Sequence, residues 1–187
     1  MEFTKVHGLG NDFILLEQQA YEQQNLADLA IELCDRHTGI GADGLLLVAP
    51  AADRAADIRM RIINQDGSEA EMCGNGIRCF ARYAYEQGFV DGSDFRVETK
   101  AGIMVPHVLV ENGQVKAVRI DMGKPVLERD KIPMRGQSER VVSEKLRFAD
   151  DISYEITSVL MGVPHTMIFV DAVSDEMVKT IGPKIEK

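Results

Sequence analysis

Cys73-Gly74-Asn75-Gly76 places one thiol in a glycine-flanked turn directly ahead of a predicted helix. Backbone N–H groups point out of a helix start without intrahelical acceptors, and the helix dipole there favours negative charge. A thiol at such a position ionises more readily. The same N–H groups can hold a carboxylate. Gly74 and Gly76 let the backbone approach a ligand closely. Asn75 occupies the place where a helix N-cap belongs. One short segment therefore offers a reactive sulfur beside an anion cradle. Taken alone, it reads equally as an Asn-Gly turn that merely opens a helix.

Other polar residues fall at turns. Asn11 lies in Gly10-Asn11-Asp12 and Asn64 in Asn64-Gln65-Asp66-Gly67. Asparagine favours turns for backbone reasons alone, but with Asn75 these two can supply neutral polar contacts to a zwitterion. His165 follows Met161-Gly162-Val163-Pro164; a lone histidine near a strand is usually just packed or hydrogen-bonded, and its functional reading is to tune a nearby thiol. Cys34 lies on the apolar face of a predicted helix and reads as a small core residue. Cys79 falls within the second helix, and packing is its simpler use. Gly39-Ile40-Gly41-Ala42-Asp43-Gly44 fits the dinucleotide fingerprint letter by letter. That fingerprint needs a strand before it and a helix after it. Here the order is reversed, so the segment reads as a helix C-terminal loop. No nucleophile elbow or phosphate-binding loop occurs.

Across 187 residues, 45% are hydrophobic and 27% charged, ordinary for a protein with its own core. The net charge of −9 argues against nucleic acid or an anionic membrane as partner. There is neither an apolar run of membrane length nor a signal pattern at Met1-Glu2-Phe3-Thr4-Lys5, which makes the cytoplasm the default location. Three cysteines without C-x-x-C spacing and four scattered histidines suit neither a disulfide framework nor a metal site. The same missing partner cysteine counts against a thiol redox protein.

The hydropathy pattern predicts strands at 3–6 and 13–17 around a loop at 8–12. A helix is expected over 26–37, capped by Asn25 with Asp28. Strands at 45–48 and 57–63 and a turn at 65–68 lead into a helix from about Asn75 to Gln87, ended by Gly88. Apolar residues surround that second helix on most sides, so the sheet is expected to wrap around it. Strands follow at 95–99, 103–110 and 115–121, with an Asn112-Gly113 hairpin. The Pro-, Gly- and charge-rich stretch 123–137 reads as a linker. Beyond it come strands at 155–161 and 166–170, then a helix capped by Ser174 or Asp175 and interrupted at Pro183. Two units result: 1–121 with Cys73, and 122–187 as linker plus the start of a second, incomplete lobe.

Four separated motifs, in order, resemble the diaminopimelate epimerase family. They are Phe3-Thr4-Lys5-Val6-His7-Gly8-Leu9-Gly10-Asn11-Asp12-Phe13, Arg36-His37-Thr38-Gly39-Ile40-Gly41-Ala42-Asp43-Gly44, Asn64-Gln65-Asp66-Gly67-Ser68, and Glu71-Met72-Cys73-Gly74-Asn75-Gly76-Ile77-Arg78-Cys79. The resemblance runs from residue 3 to the end of the chain and covers the front part of a longer pattern. It implies an α+β fold in which a curled mixed sheet wraps a central helix, with a second lobe of similar design that is incomplete here. It also implies inversion at the α-carbon of diaminopimelate by two cysteines, without pyridoxal phosphate, metal or any other cofactor. Cys73 is then the first catalytic cysteine. Gly74 and Asn75 contact the reacting carboxylate, Asn11 and Asn64 contact the substrate toward its distal end, and His165 adjusts thiol acidity. The partner is a small amino-acid substrate, and the family is often homodimeric. The second catalytic cysteine motif does not occur in these 187 residues, so the chain alone is expected to be inactive. Val163 replaces an Asn common in the family, leaving open a cofactor-independent racemase of another amino acid, or a non-catalytic binding module.

Overall fold

The computed structural model describes residues 1–147 and 153–186. They form two compact units, Met1–Asp121 and Met122–Lys187.

The first unit is built on a mixed sheet. Strands β1 (Thr4–Gly8), β2 (Asn11–Glu17), β3 (Gly44–Ala49), β4 (Ile58–Asn64), β6 (Val97–Thr99) and β7 (Gly102–Met104) lie side by side in that order, and the short β5 (Glu69–Ala70) pairs with β4. Two pairings are parallel, β2 with β3 and β4 with β6; the rest are antiparallel. Each parallel pair needs a crossover. Helix α1 (Leu26–Cys34) lies in the first and α2 (Gly74–Glu86) in the second. All six residues of β3, Gly-Leu-Leu-Leu-Val-Ala, are buried. A run without polar alternation is what a strand covered on both faces requires. Leu45 and Leu47 join Ile14, Leu16, Leu29, Leu33 and Cys34 in the core beneath α1. Leu46 faces the other way, against Gly76 at the start of α2.

Helix α2 packs against β1, β2, β3 and β4 and also against the hairpin of β8 (Pro106–Glu111) and β9 (Gln114–Ile120). Ile77, Phe80, Ala81 and Ala84 are completely buried. The expected enclosure of this helix by a curled mixed sheet is therefore observed. Gln87 is its C-cap, and Gly88 follows at φ +72°, the left-handed geometry that ends helices.

Several boundaries differ from the sequence reading. Leu9 and Gly10 both have positive φ and form a tight two-residue turn, so β1 and β2 extend to Gly8 and from Asn11. Asn11 and Asp12 are strand residues, not loop residues. Helix α1 is capped by the Asn25 side chain but ends at Cys34, three residues early. The Asp35 carboxylate accepts from the backbone N–H groups of His37 and Thr38 and turns the chain out of the helix. Gly39 then passes beneath the helix end, where a Cβ would come within 2.3 Å of the Glu32 carbonyl oxygen. Ile40 and Gly41 N–H groups both bond to the Leu33 carbonyl. The glycines of 39–44 thus serve a helix C-terminus, with α1 before and β3 after. The strand expected over 103–110 is two strands in different sheets, β7 and β8, broken at Val105 because Pro106 has no N–H for a continuing ladder.

The second unit holds an antiparallel sheet of β10 (Glu144–Arg147), β11 (Ser153–Met161) and β12 (Val163–Ile168). Ser174 caps α3 (Asp175–Thr180), and α4 (Gly182–Glu186) starts afresh after Ile181. Segment 123–137 is not a free linker. Val126 bridges to Leu160, and the buried Arg129 guanidinium donates to the carbonyls of Arg135 and Ser138 and to the Glu144 carboxylate. Among the described residues, no helix is long and apolar enough to cross a membrane.

Candidate functional site

Cys73 is itself the N-cap of α2: its Sγ accepts the Gly76 N–H at 3.3 Å. The cap expected at Asn75 is therefore two residues earlier, and Asn75 lies inside the first turn. The first-turn N–H of Ile77 bonds to the Cys73 carbonyl. The N–H groups of Gly74 and Asn75 have no acceptor among the described residues. Both residues are partly exposed, as is Cys73. Two free donors thus stand beside the sulfur, which is the arrangement an incoming carboxylate needs.

Two side-chain amides complete the cluster. Asn11 Oδ1 lies 3.5 Å from Cys73 Sγ, which donates to it, and 3.4 Å from the donating Asn75 Nδ2. Gly8, paired with Asn11 across the hairpin, admits this approach, because a Cβ there would come within 3.2 Å of the Asn75 Cβ and carbonyl oxygen. Gly76 is buried against Leu46 and Phe13, so the helix start rests directly on β2 and β3.

Charged groups hold both ends of this amide pair. Asn11 Nδ2 donates to Asp43 Oδ2 at 2.7 Å. At the other end Arg78 donates to Asn75 Oδ1 and, at 2.9 Å, to the Gly74 carbonyl. Behind them, Arg36 bridges Asp12 at 2.7 Å and Asp43 at 2.9 Å, and Lys5 pairs with Asp12 at 2.8 Å. Hydrogen bonds from Arg36 and then Lys5 hold the Asp12 carboxyl well below the usual range, although burial opposes them. The sequence by itself does not single out Arg78, Asp43, Asp12, Arg36 or Lys5. The available signal was their place inside the matching motifs, with Arg78 three residues after Asn75, within reach on one helix face.

The remaining candidates divide clearly. Asn64 ends β4, opposite Gly44 in the sheet, and its Nδ2 donates to Ser68 Oγ at 3.0 Å, closing its own turn. Cys34 is fully buried, and desolvation pushes its thiol up to about 11. Burial also raises the Cys79 thiol. His165 belongs to the second unit, where it is exposed on β12 opposite Val159 and lines a cavity of about 690 Å³ with Met134, Ile168, Met177 and Ile181. Among the described residues, no group of three or more His, Cys, Asp or Glu side chains is arranged to hold a metal ion.

Residues 3–128 match the family described as diaminopimelate epimerase. Proteins named diaminopimelate epimerase from Caldanaerobacter subterraneus subsp. tengcongensis and Pelotomaculum thermopropionicum are each 52% identical to this chain, covering 100% of it. The chain spans 66% of the length of either relative. In three dimensions it is similar to a probable proline racemase from Agrobacterium radiobacter K84 (TM-score 0.66, 16% identity, 96% of this chain and 52% of that one). It is equally similar to a hydroxyproline epimerase from Agrobacterium vitis (TM-score 0.65, 15% identity, 96% and 52%). At those identities the likeness is one of fold.

Proposed function

Given that the chain belongs to the diaminopimelate epimerase family, we propose that it carries one half of a cofactor-independent proton-transfer site for diaminopimelate, in cytoplasmic lysine and cell-wall precursor synthesis. The observation that carries this reading is the Cys73 sulfur capping α2 beside the unpaired N–H groups of Gly74 and Asn75.

The α-proton of an amino acid is a very weak acid, so the electron pair left behind must be stabilised as it forms. A carboxylate held by Gly74 and Asn75 develops enolate charge against donors already in place. In one direction the Cys73 thiolate takes the α-proton: the C–H bond breaks, an S–H bond forms, and the pair is delocalised onto the carboxylate. A second sulfur on the opposite face then delivers a proton to the same carbon. In the other direction Cys73 is the donor. Its hydrogen bond to Asn11 Oδ1 suits that protonated form. Neither Cys34, buried with a raised thiol, nor Cys79, within α2, suits the second role. The 187 residues thus supply one such sulfur, and alone they should not invert the substrate. Asn11 and Asn64 serve as further substrate contacts, and His165 is proposed to adjust thiol acidity.

Val163, exposed at the start of β12 where many members carry Asn, favours a second reading, a racemase for another amino acid. Solvent deuterium exchange tests both. In an enzyme of the relatives' length that contains this chain, deuterium is expected at the α-carbon of LL- and meso-diaminopimelate. Exchange confined to amino acids lacking a second ionic end would transfer the activity to the other class, and no exchange with any of them would leave a binding module.

A further inference from the structure

We infer that Asp43 is a positioning residue that sets which end of the Asn11 side chain faces the Cys73 sulfur. A primary amide has one accepting and one donating end of nearly the same shape, so its environment chooses the orientation. The Asp43 carboxylate only accepts. It takes the Asn11 Nδ2 at 2.7 Å and so turns Oδ1 toward Sγ. Asp43 is fixed in turn: Arg36 donates to its Oδ1, the Asp12 backbone N–H donates to Oδ2 at 3.0 Å, and its own N–H bonds to the Asp12 carbonyl at 2.9 Å. At the far end Arg78 only donates. It fixes Asn75 Oδ1 and leaves Nδ2 to meet Asn11 Oδ1, in agreement with the orientation Asp43 imposes. Cys73 consequently meets an oxygen, which accepts the thiol hydrogen, instead of an NH2 group, which would favour the thiolate.

This inference deepens the proton-transfer reading but concerns thiol chemistry that needs no substrate, so it can fail while that reading stands. The charged groups around the cluster are Lys5 on β1, Asp12 on β2, Arg36 and Asp43 between α1 and β3, and Arg78 on α2, with the Cys79 thiol further along α2. The test is the pH profile of Cys73 alkylation by iodoacetamide in the full chain, read by peptide mass spectrometry. Asp43→Asn keeps the shape: its oxygen stays on the donating Arg36, and its NH2 takes the place of Oδ2, giving up the bond from the Asp12 N–H and offering Asn11 a donor. Asn11 then reverses, and the midpoint of the profile falls by about half a pH unit or more. Loss of the Asp43 charge would also lower the midpoint, so the same substitution is made in an Asn11→Ala background. If the amide is the route, Asp43→Asn shifts the midpoint clearly less there, and the charge alone accounts for what remains. An equal shift in both backgrounds, or no shift in either, overturns the inference. Should the variant fold poorly, the unmutated chain decides: the Asn11 side-chain NH2 resonances must follow titration of the Asp43 carboxyl, and resonances indifferent to it overturn the inference equally.

Discussion

Replacing Cys73 with alanine is expected to lower α-proton exchange by about a thousandfold or more in an enzyme of the relatives' length, since the group that moves the proton is gone. The loss should fall on kcat more than on KM, because the Gly74 and Asn75 N–H groups that hold the carboxylate remain. Alanine also deletes a helix cap, as the sulfur accepts the Gly76 N–H, and such losses cost about 1 kcal/mol. Cys73→Ser separates the two effects. A hydroxyl can still cap α2, so stability is retained, but its proton is far too tightly held for exchange near neutral pH. Cys79→Ala should leave exchange close to that of the parent enzyme. Measured exchange in Cys73→Ala equal to the parent would remove the sulfur from the mechanism.

The second large effect is on folding. Phe80 is a large, fully buried side chain on α2, the helix that packs against both the main sheet and the β8–β9 hairpin. Phe80→Ala removes most of a ring from a place that cannot collapse from one side alone, so a loss of about 3–5 kcal/mol is expected. Urea unfolding followed by circular dichroism reads it as a lower midpoint at unchanged slope. The consequence reaches the site, because α2 carries Cys73 at its first end and rests on Leu46 and Phe13 through Gly76. A loss below about 1 kcal/mol would mean that α2 is not enclosed as described.

What was legible in the sequence is what short-range chemistry controls. The Asn25 cap, the end of α2 at Gly88, the Asn112-Gly113 turn and the break before Gly182 each depend on a few neighbouring residues, and each is found near its expected place. The apolar residues on most sides of α2 announce its enclosure for the same reason. Features set by distant residues were hidden. Nothing local marks Leu9 as left-handed at φ +57°, yet that turn extends β2 back to Asn11 and brings its amide to Cys73, 62 positions away. Pro106 was visible, but whether the chain bends or changes sheet there depends on the β8–β9 partnership with α2. The stretch 123–137 looked like a linker by composition, because the buried Arg129 finds its acceptors in 135–144 only once folded. The sequence marks Cys73 itself but points to Asn75 as the cap, since cysteine is rarely chosen there. The link from Asp43 through Asn11 and Asn75 to Arg78 joins residues up to 64 apart and leaves no local pattern.

The most direct measurement is the position of two backbone amides during binding. In ¹⁵N-labelled protein of the relatives' length, the Gly74 and Asn75 N–H resonances should move together as diaminopimelate is added. They should saturate at the same concentration that protects Cys73 from iodoacetamide. A complex that forms with both resonances unmoved and Cys73 still open to alkylation would contradict a carboxylate held at the start of α2 beside that sulfur.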